Sequence, residues 1–393
     1  MSRFSFFRRL PVLLALSHAY VAMRLAASAP AGMPRWVIAA LVLLSYLFIL
    51  GGFFARRSTG RPVGDLIAWI GFLVLGLFSW LFVLTVLRDI LLLAGLTVNT
   101  ISAKAFTAAA FNSLQSVSAL AVPALSFAAV LIGLFNARRT AQLAIVDVAL
   151  ENLPPALSGL TIAQVSDLHV GPTIKRGYVE AIVDVVNKQS PDIVALTGDL
   201  VDGSVARLAH HTEPLGRLRA RHGVYAVTGN HEYYSGADQW VAEFRRLGLE
   251  VLMNQHQVLM HDGNEIVVAG ITDYGAGAFD AAQASDPVKA LQGAPATAAV
   301  RILLAHQPRS ASAATAAGFD LQLSGHTHGG QFWPWKYFVP LQQPFVAGLH
   351  QVGTMQIYVS RGSGYWGPPM RLGARSEITL IRLRGTRTDK PVH

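Results

Sequence analysis

The chain of 393 residues contains no cysteine. Disulfides and thiolate ligands are thereby excluded, so any metal site has to be built from imidazole, carboxylate, amide and water, while the redox compartment stays open. Charge is scarce as well: 14% of residues are charged and 52% are hydrophobic, too apolar a balance for an ordinary soluble protein. Part of the chain is expected to sit in lipid. Acidic residues are nearly missing from the first third. Met1 to Arg139 holds 12 Lys/Arg against Asp65 and Asp89, a net +10, which leaves 20 basic and 21 acidic residues, a net −1, for the remainder. A domain that works on nucleic acid would show a basic surplus in that remainder, so no nucleic-acid partner is expected. There is no internal repeat and no low-complexity segment beyond an alanine-rich loop around Ala281 to Ala299.

What the first third does have is four apolar stretches, about Leu10 to Ala26, Trp36 to Phe54, Leu66 to Leu87 and Ala119 to Phe135. The second and third are long and uncharged enough to cross a bilayer as helices, and the fourth tolerates Pro123 in that setting. The first contains His18 and Arg24; Arg24 is near its end and can snorkel to the interface. Ile90 to Ser116 reads as a partly amphipathic surface segment. With four spans, Arg3, Arg8, Arg9, Arg56, Arg57, Arg61, Arg138 and Arg139 share one side and Arg24, Arg35, Arg88 and Lys104 the other. The arginine-rich side is expected to be cytoplasmic. Residues 1–139 are thus expected to form a membrane domain and residues 140–393 a catalytic one, in a multi-pass protein of the bacterial plasma (inner) membrane. A twin-arginine export signal at Arg8-Arg9 is the rival reading, disfavoured by Pro11 and the three further spans.

Beyond Arg139 the composition changes. Five short apolar runs each end in side chains able to hold a metal: Thr161 to Ser166 leads into Asp167-Leu168-His169, Asp192 to Thr197 into Gly198-Asp199, and Gly223 to Thr228 into Gly229-Asn230-His231-Glu232. Val300 to Ala305 leads into His306, and Asp320 to Leu323 into Gly325-His326-Thr327-His328-Gly329. Such runs read as strands buried on both faces, and in open α/β sheets the chemistry gathers beyond their carboxyl ends. Taken singly, each block has a plain structural reading as a helix cap, a turn residue or a core histidine. Helices are expected over Val179 to Lys188 and Ala237 to Leu247, the latter ended by Gly248.

Taken in order, the five blocks resemble the signature of the calcineurin-like metallophosphoesterase family, over roughly Ala141 to Leu383. The resemblance implies two sheets packed face to face with helices outside, an αββα sandwich of the α/β class following the N-terminal transmembrane helices. It also implies a pair of divalent ions: Asp167, His169 and His328 would hold one, Asn230, His306 and His326 the other, with Asp199 bridging both. Two such ions and two carboxylates leave a formal +2, suited to the charge of a phosphoryl group in its transition state. Mn²⁺ is favoured, with Fe or Zn²⁺ compatible with the same donors.

His231 has no place in that ligand set. The resemblance gives it a catalytic role, stabilising phosphoryl oxygens or protonating the leaving oxygen, with Glu232 available to orient its ring. Trp333 and Trp366 sit in aromatic clusters that suit a lipid-facing lip, and Arg361 is a candidate phosphate contact. The expected function is a membrane-anchored dimetal hydrolase of a phosphodiester or pyrophosphate bond in a lipid-linked substrate, such as a phospholipid or a precursor of the UDP-diacylglucosamine type. A nucleotide or general phosphodiesterase anchored only for localisation is the alternative, and a non-catalytic metal-binding scaffold or sensor is the alternative of another class. Oligomeric state is not legible in the sequence.

Overall fold

The computed structural model describes residues 3–29, 32, 34–55, 61–102 and 107–385, without the side chains of residues 3–9. Arg56, Arg57 and Lys104, which entered the reading of orientation, lie outside the described residues. The chain divides into two units, one of residues 1–135 with Gly367–Met370, the other of residues 136–366 and 371–393.

The first unit is helical: α1 Arg3–Ala27, α2 Arg35–Ala55, α3 Pro62–Ile101 and α4 Ala108–Arg138. Each contains a window long and apolar enough to cross a membrane, including Leu10–Ala27 in α1. The 40-residue α3 corrects the expectation of a surface segment after Leu87. Nothing from Ile90 to Ile101 removes a backbone donor, so the hydrogen-bond ladder continues, and α4 resumes at Ala108. At about 1.5 Å per residue, α3 is roughly twice as long as a hydrocarbon core is thick.

Small residues set the α2/α3 contact. A Cβ on Gly71 would stand 2.5 Å from Gly52 Cα and 2.7 Å from the Phe48 carbonyl oxygen, so only glycine allows these backbones to approach as they do. Inside the unit, Asp89 lies within α3 and not at a helix end; it accepts from Arg24 Nε (2.6 Å) and the Tyr20 hydroxyl (2.7 Å). Buried His18 stacks on Phe78 at 3.4 Å, with its Nδ1 2.7 Å from the Leu14 carbonyl oxygen.

The second unit is a layered α/β domain. Besides the motif strands named next, its strands are β1 Gln142–Leu150, β5 Glu250–Val251, β6 Gln255–His261, β7 Asn264–Gly270, β10 Gly348–Val352, β11 Met355–Val359 and β12 Glu377–Gly385; one sheet has the order β1-β12-β2-β3-β4-β5 and the other β10-β11-β9-β8-β7-β6. The strands that carry the sequence motifs are β2 Thr161–Val165, β3 Ile193–Thr197, β4 Val224–Val227, β8 Val300–Leu304 and β9 Leu321–Ser324. Within their sheets β2, β3 and β4 run parallel, as do β8 and β9, so their carboxyl ends emerge at one rim.

Their apolar runs are explained by burial on both faces. Ile162, Ile193 and Val227 of one sheet meet Ile266, Ile302 and Leu321 of the other in the central layer. On the outer face of the first sheet, α5 Arg176–Lys188 presents Val179, Ile182, Val183 and Val186, a single stripe at helical spacing, against Val165, Val194 and Leu196. Each such side chain contributes about 1.5–3 kcal/mol on burial. The outer face of the second sheet packs Val267, Ala269 and Leu303 against Ala311 and Ala314 of α10 Ala311–Ala317. The result is the αββα sandwich, with α8 Ala237–Arg246 closing as expected just before Gly248, which has a φ of 87°.

Candidate metal centre

At the carboxyl rim the five motifs fall together. His169 Nε2 is 3.0 Å from His328 Nε2, which is 3.5 Å from Asp167 Oδ1. His306 Nε2 is 3.1 Å from Asp199 Oδ2 and 3.2 Å from His326 Nδ1. Asp199 stands between the two groups, its Oδ2 also 3.9 Å from His169 Nε2 and 3.9 Å from His231 Nε2. Asp167, His169, Asp199, Asn230, His306 and His328 are all buried, and His326 is partly so.

The backbone goes out of its way to aim these groups. Asp167, His169, Asp199, His326 and His328 have φ between 52° and 71°, a left-handed conformation that costs a residue with a Cβ about 1–2 kcal/mol. Clustering of five such residues at one rim marks a site held in shape by its surroundings. Two motif glycines are explained by close approach: a Cβ on Gly325 would stand 2.2 Å from Asp167 Oδ2, and one on Gly229 2.2 Å from Asp199 Oδ1.

Do these donors suit a pair of cations? Three observations say that they do. Nδ1 of His306 donates to the Thr197 carbonyl oxygen at 2.8 Å, so that in the neutral imidazole Nε2, which faces Asp199, is the nitrogen left to ligate. Oδ1 of Asn230 is buried without a hydrogen-bond partner, an arrangement that costs energy unless something else occupies the lone pairs. Imidazole nitrogens also face one another at 3.0 and 3.2 Å, as ligands of a shared ion do.

Electrostatics agree. Burial works against charge on Asp199, but His306 and His231 hold its carboxyl well below the usual range. Burial, helped by His306, lowers His326 to about 3, and burial followed by Arg371 takes His328 well below its ordinary value; both stay neutral, the form that ligates. Burial also opposes a proton on His306, yet the Asp199 carboxylate outweighs it and raises the group to about 10. In the metal-free protein, His306 therefore holds a proton where a cation would otherwise neutralise Asp199.

His231 is oriented differently from the expectation. Its Nδ1 donates to Asp202, which also lies 3.3 Å from His169 Nδ1. Glu232 is occupied elsewhere: its buried carboxylate accepts from the backbone N–H groups of Gly229 (2.6 Å), Leu200 (2.7 Å) and Asp199 (3.0 Å). Burial and then the nearby Asp199 charge push its carboxyl up to about 7. Glu232 thus shapes the loops, whereas Asp202 orients the imidazoles. The only sequence trace of Asp202 is its position three residues after Asp199.

Arg371 also escaped sequence reading, because nothing about its position distinguishes it from a surface arginine. It is buried, and its guanidinium donates to the carbonyl oxygens of His328 (2.8 Å), Arg361 (2.8 Å) and Gly364 (3.1 Å), tying the second histidine to the 361–364 turn. Of the expected substrate contacts, Trp366 stands beside the centre, its ring 5.8 Å from His231 and nearly perpendicular to it. Trp333 lies on the segment whose backbone pairs with Leu372. Arg361 is half-buried and paired with Glu377 at 2.7 Å.

Residues 160–330, which span all five motifs, match the calcineurin-like phosphoesterase family. A metallophosphoesterase of Aquifex aeolicus is 33% identical over 264 residues, covering 66% of this chain and 98% of that protein. The chain belongs to the calcineurin-like phosphoesterase family. Among other members, a zebrafish transmembrane protein with a metallophosphoesterase domain is 40% identical over 260 residues, and a metallophosphoesterase of Campylobacter jejuni is 36% identical over 252. The matched region is 64% of this chain in both cases, and it spans 59% of the zebrafish protein and 65% of the Campylobacter one. The zebrafish protein is named as a transmembrane one, and four helices of this calcineurin-like phosphoesterase are long and apolar enough to cross a membrane.

Proposed function

We propose that this protein is a membrane-anchored dimetal hydrolase of a phosphodiester or pyrophosphate bond in a lipid-linked substrate, a phospholipid or a nucleotide-linked lipid of the UDP-diacylglucosamine type. The observation that carries the hydrolase reading is the convergence of Asp167, His169, Asp199, His306, His326 and His328 on one rim, with the unpartnered oxygen of Asn230 on the adjoining turn, whose His231 N–H donates to Asp199. In this reading Asp167, His169 and His328 would hold one ion and Asn230, His306 and His326 the other, with Asp199 shared between them. When bound, the two ions, Mn²⁺ by preference, supply Lewis acidity and an activated water.

The chain's own residues do the rest. Asp202 accepts the Nδ1–H of His231 and favours its imidazolium form, which presents the second proton, on Nε2, to the leaving oxygen. Trp366 packs beside that imidazole and offers an apolar wall. Arg361, with its charge half satisfied by Glu377, steers the phosphate.

Two features support a substrate in lipid. One is the set of four apolar helices; the other is the segment after the histidine motif, where Trp335, Tyr337, Phe338 and Leu341 are exposed, Leu341 at 80%. Exposed aromatic and aliphatic side chains grouped in seven residues suit a wet-apolar boundary. In a bacterial plasma membrane, the location this reading takes, the arginine distribution favours an orientation with the phosphoesterase domain in the cytoplasm.

The test compares the full-length protein with a Tyr337→Ser/Phe338→Ser/Leu341→Ser variant on bis-p-nitrophenyl phosphate and on a phospholipid in mixed micelles. The lipid reading expects an unchanged rate on the soluble ester and roughly a tenfold loss on the lipid. Equal rates on both would leave a general or nucleotide phosphodiesterase, and no hydrolysis abolished by Asp199→Asn would leave a metal-binding scaffold.

A further inference from the structure

A second set of metal-capable side chains lies at the opposite rim of the same domain. Asp192 immediately precedes β3, His222 comes two residues before β4, and His261 ends β6 Gln255–His261 at its hairpin with β7 Asn264–Gly270. A carboxylate oxygen of Asp192 and one nitrogen of each imidazole lie within 4.8 Å of one another. These three residues precede or turn away from the parallel strands, whereas the five phosphoesterase motifs follow them.

The geometry repeats what the main centre shows. Nε2 of His222 faces Nδ1 of His261 at 2.8 Å, compared with 3.0 and 3.2 Å for the facing imidazole pairs of the main centre. Two nitrogens of one tetrahedral zinc stand about 3.3 Å apart, so the rings need to separate by only about half an ångström. His261 is buried, and His222 and Asp192 are partly so. Asp192 is already positioned, its Oδ2 accepting from the backbone N–H and the hydroxyl of Thr161 at 2.8 Å each. The charges nearby are Asp262, 3.7 Å from His261 Nε2, and Arg221, which pairs with Asp262 at 3.1 Å; they offset each other.

We propose that Asp192, His222 and His261 form a separate zinc site that fastens the two sheets together at the rim opposite the phosphoesterase centre. Asp192 and His222 come from loops of the first sheet and His261 from a strand of the second, so one ion bridges both layers. Two imidazoles and a carboxylate with water in the fourth position are an ordinary zinc set. The ion adds a cross-link between the sheets beside the Arg221–Asp262 ion pair, in place of the hydrogen bond between the two rings.

The experiment uses full-length protein in detergent, stripped with a chelator and re-equilibrated with Zn²⁺, in an Asp167→Asn/Asp199→Asn background that disables the main centre. Metal analysis should find one zinc per chain that His222→Ala or His261→Ala removes, and binding at least roughly tenfold weaker in titrations. His222→Gln keeps a hydrogen bond to His261 and guards against misfolding: it should retain the unfolding temperature of the stripped protein but lose the upward shift produced by Zn²⁺. Zinc content that is the same with and without His222, or an equal Zn²⁺-induced shift in His222→Gln, overturns the proposal.

Discussion

Asp202 accepts the Nδ1–H of His231 and so turns His231 Nε2 toward Asp199, whose Oδ2 lies 3.9 Å away. Since the same carboxylate oxygen is 3.3 Å from His169 Nδ1, one side chain accepts the Nδ1–H of both, leaving Nε2 of His169 to ligate and favouring the imidazolium of the candidate proton donor.

Replacing Asp202 by Ala should therefore lower kcat by roughly tenfold to a hundredfold, on the scale of lost support behind a ligand or an acid, with KM little changed. His231→Ala should cost roughly a hundredfold or more in turnover while metal content stays near wild type. Steady-state kinetics with parallel metal analysis checks both. Loss of both ions from His231→Ala would show that His231 is a ligand.

Removing the metals should expose the proton that His306 keeps in their place. Its value near 10 lies above that of the unfolded chain, so the ion pair with Asp199 stabilises the stripped protein fully below about pH 6.5 and is lost as pH rises toward 10. The chelated protein should lose stability between pH 7 and 9.5 by at most about 1.4 kcal/mol per pH unit from this group, whereas the Mn²⁺-loaded protein should not. Thermal melts of both forms across that range decide it, and parallel curves would count against the cation-for-proton exchange.

In the helical unit, Gly71 should be the least tolerant position of α3. Gly71→Leu places side-chain atoms where Gly52 Cα already stands, 2.5 Å from the position of a Cβ, and should lower the detergent-resistant melting temperature by several degrees, corresponding to about 1–3 kcal/mol of overpacking. Gly95→Leu, where the nearest atom is the edge of the Phe111 ring at 3.7 Å, is the control and should be mild.

Much of this protein is written locally. Apolar runs of helical length without charge determine that three segments are suited to lipid, because backbone and side-chain solvation depend on composition alone, whereas the first run, with His18 and Arg24, stays open until its helix is seen. The doubly buried strands and the residues that follow them are legible for a similar reason: a short Val/Ile/Leu run ending in Asp, Asn or His is a property of adjacent positions. Where a helix stops is less local, and the continuation of α3 to Ile101 went unread because mild polarity without proline or a cap does not end a helix.

Which residues support the chemistry was decided only by folding. Glu232 adjoins His231 in sequence, yet its carboxylate turns back to four backbone N–H groups, and Asp202, 29 residues earlier, takes the imidazole. Arg371 reaches His328 across 43 positions, and His261 meets His222 across 39. Hydrogen bonds and metal ligation depend on distance in space, and chain spacing reports that distance only within one element or turn; between elements, sheet order and packing alone set it.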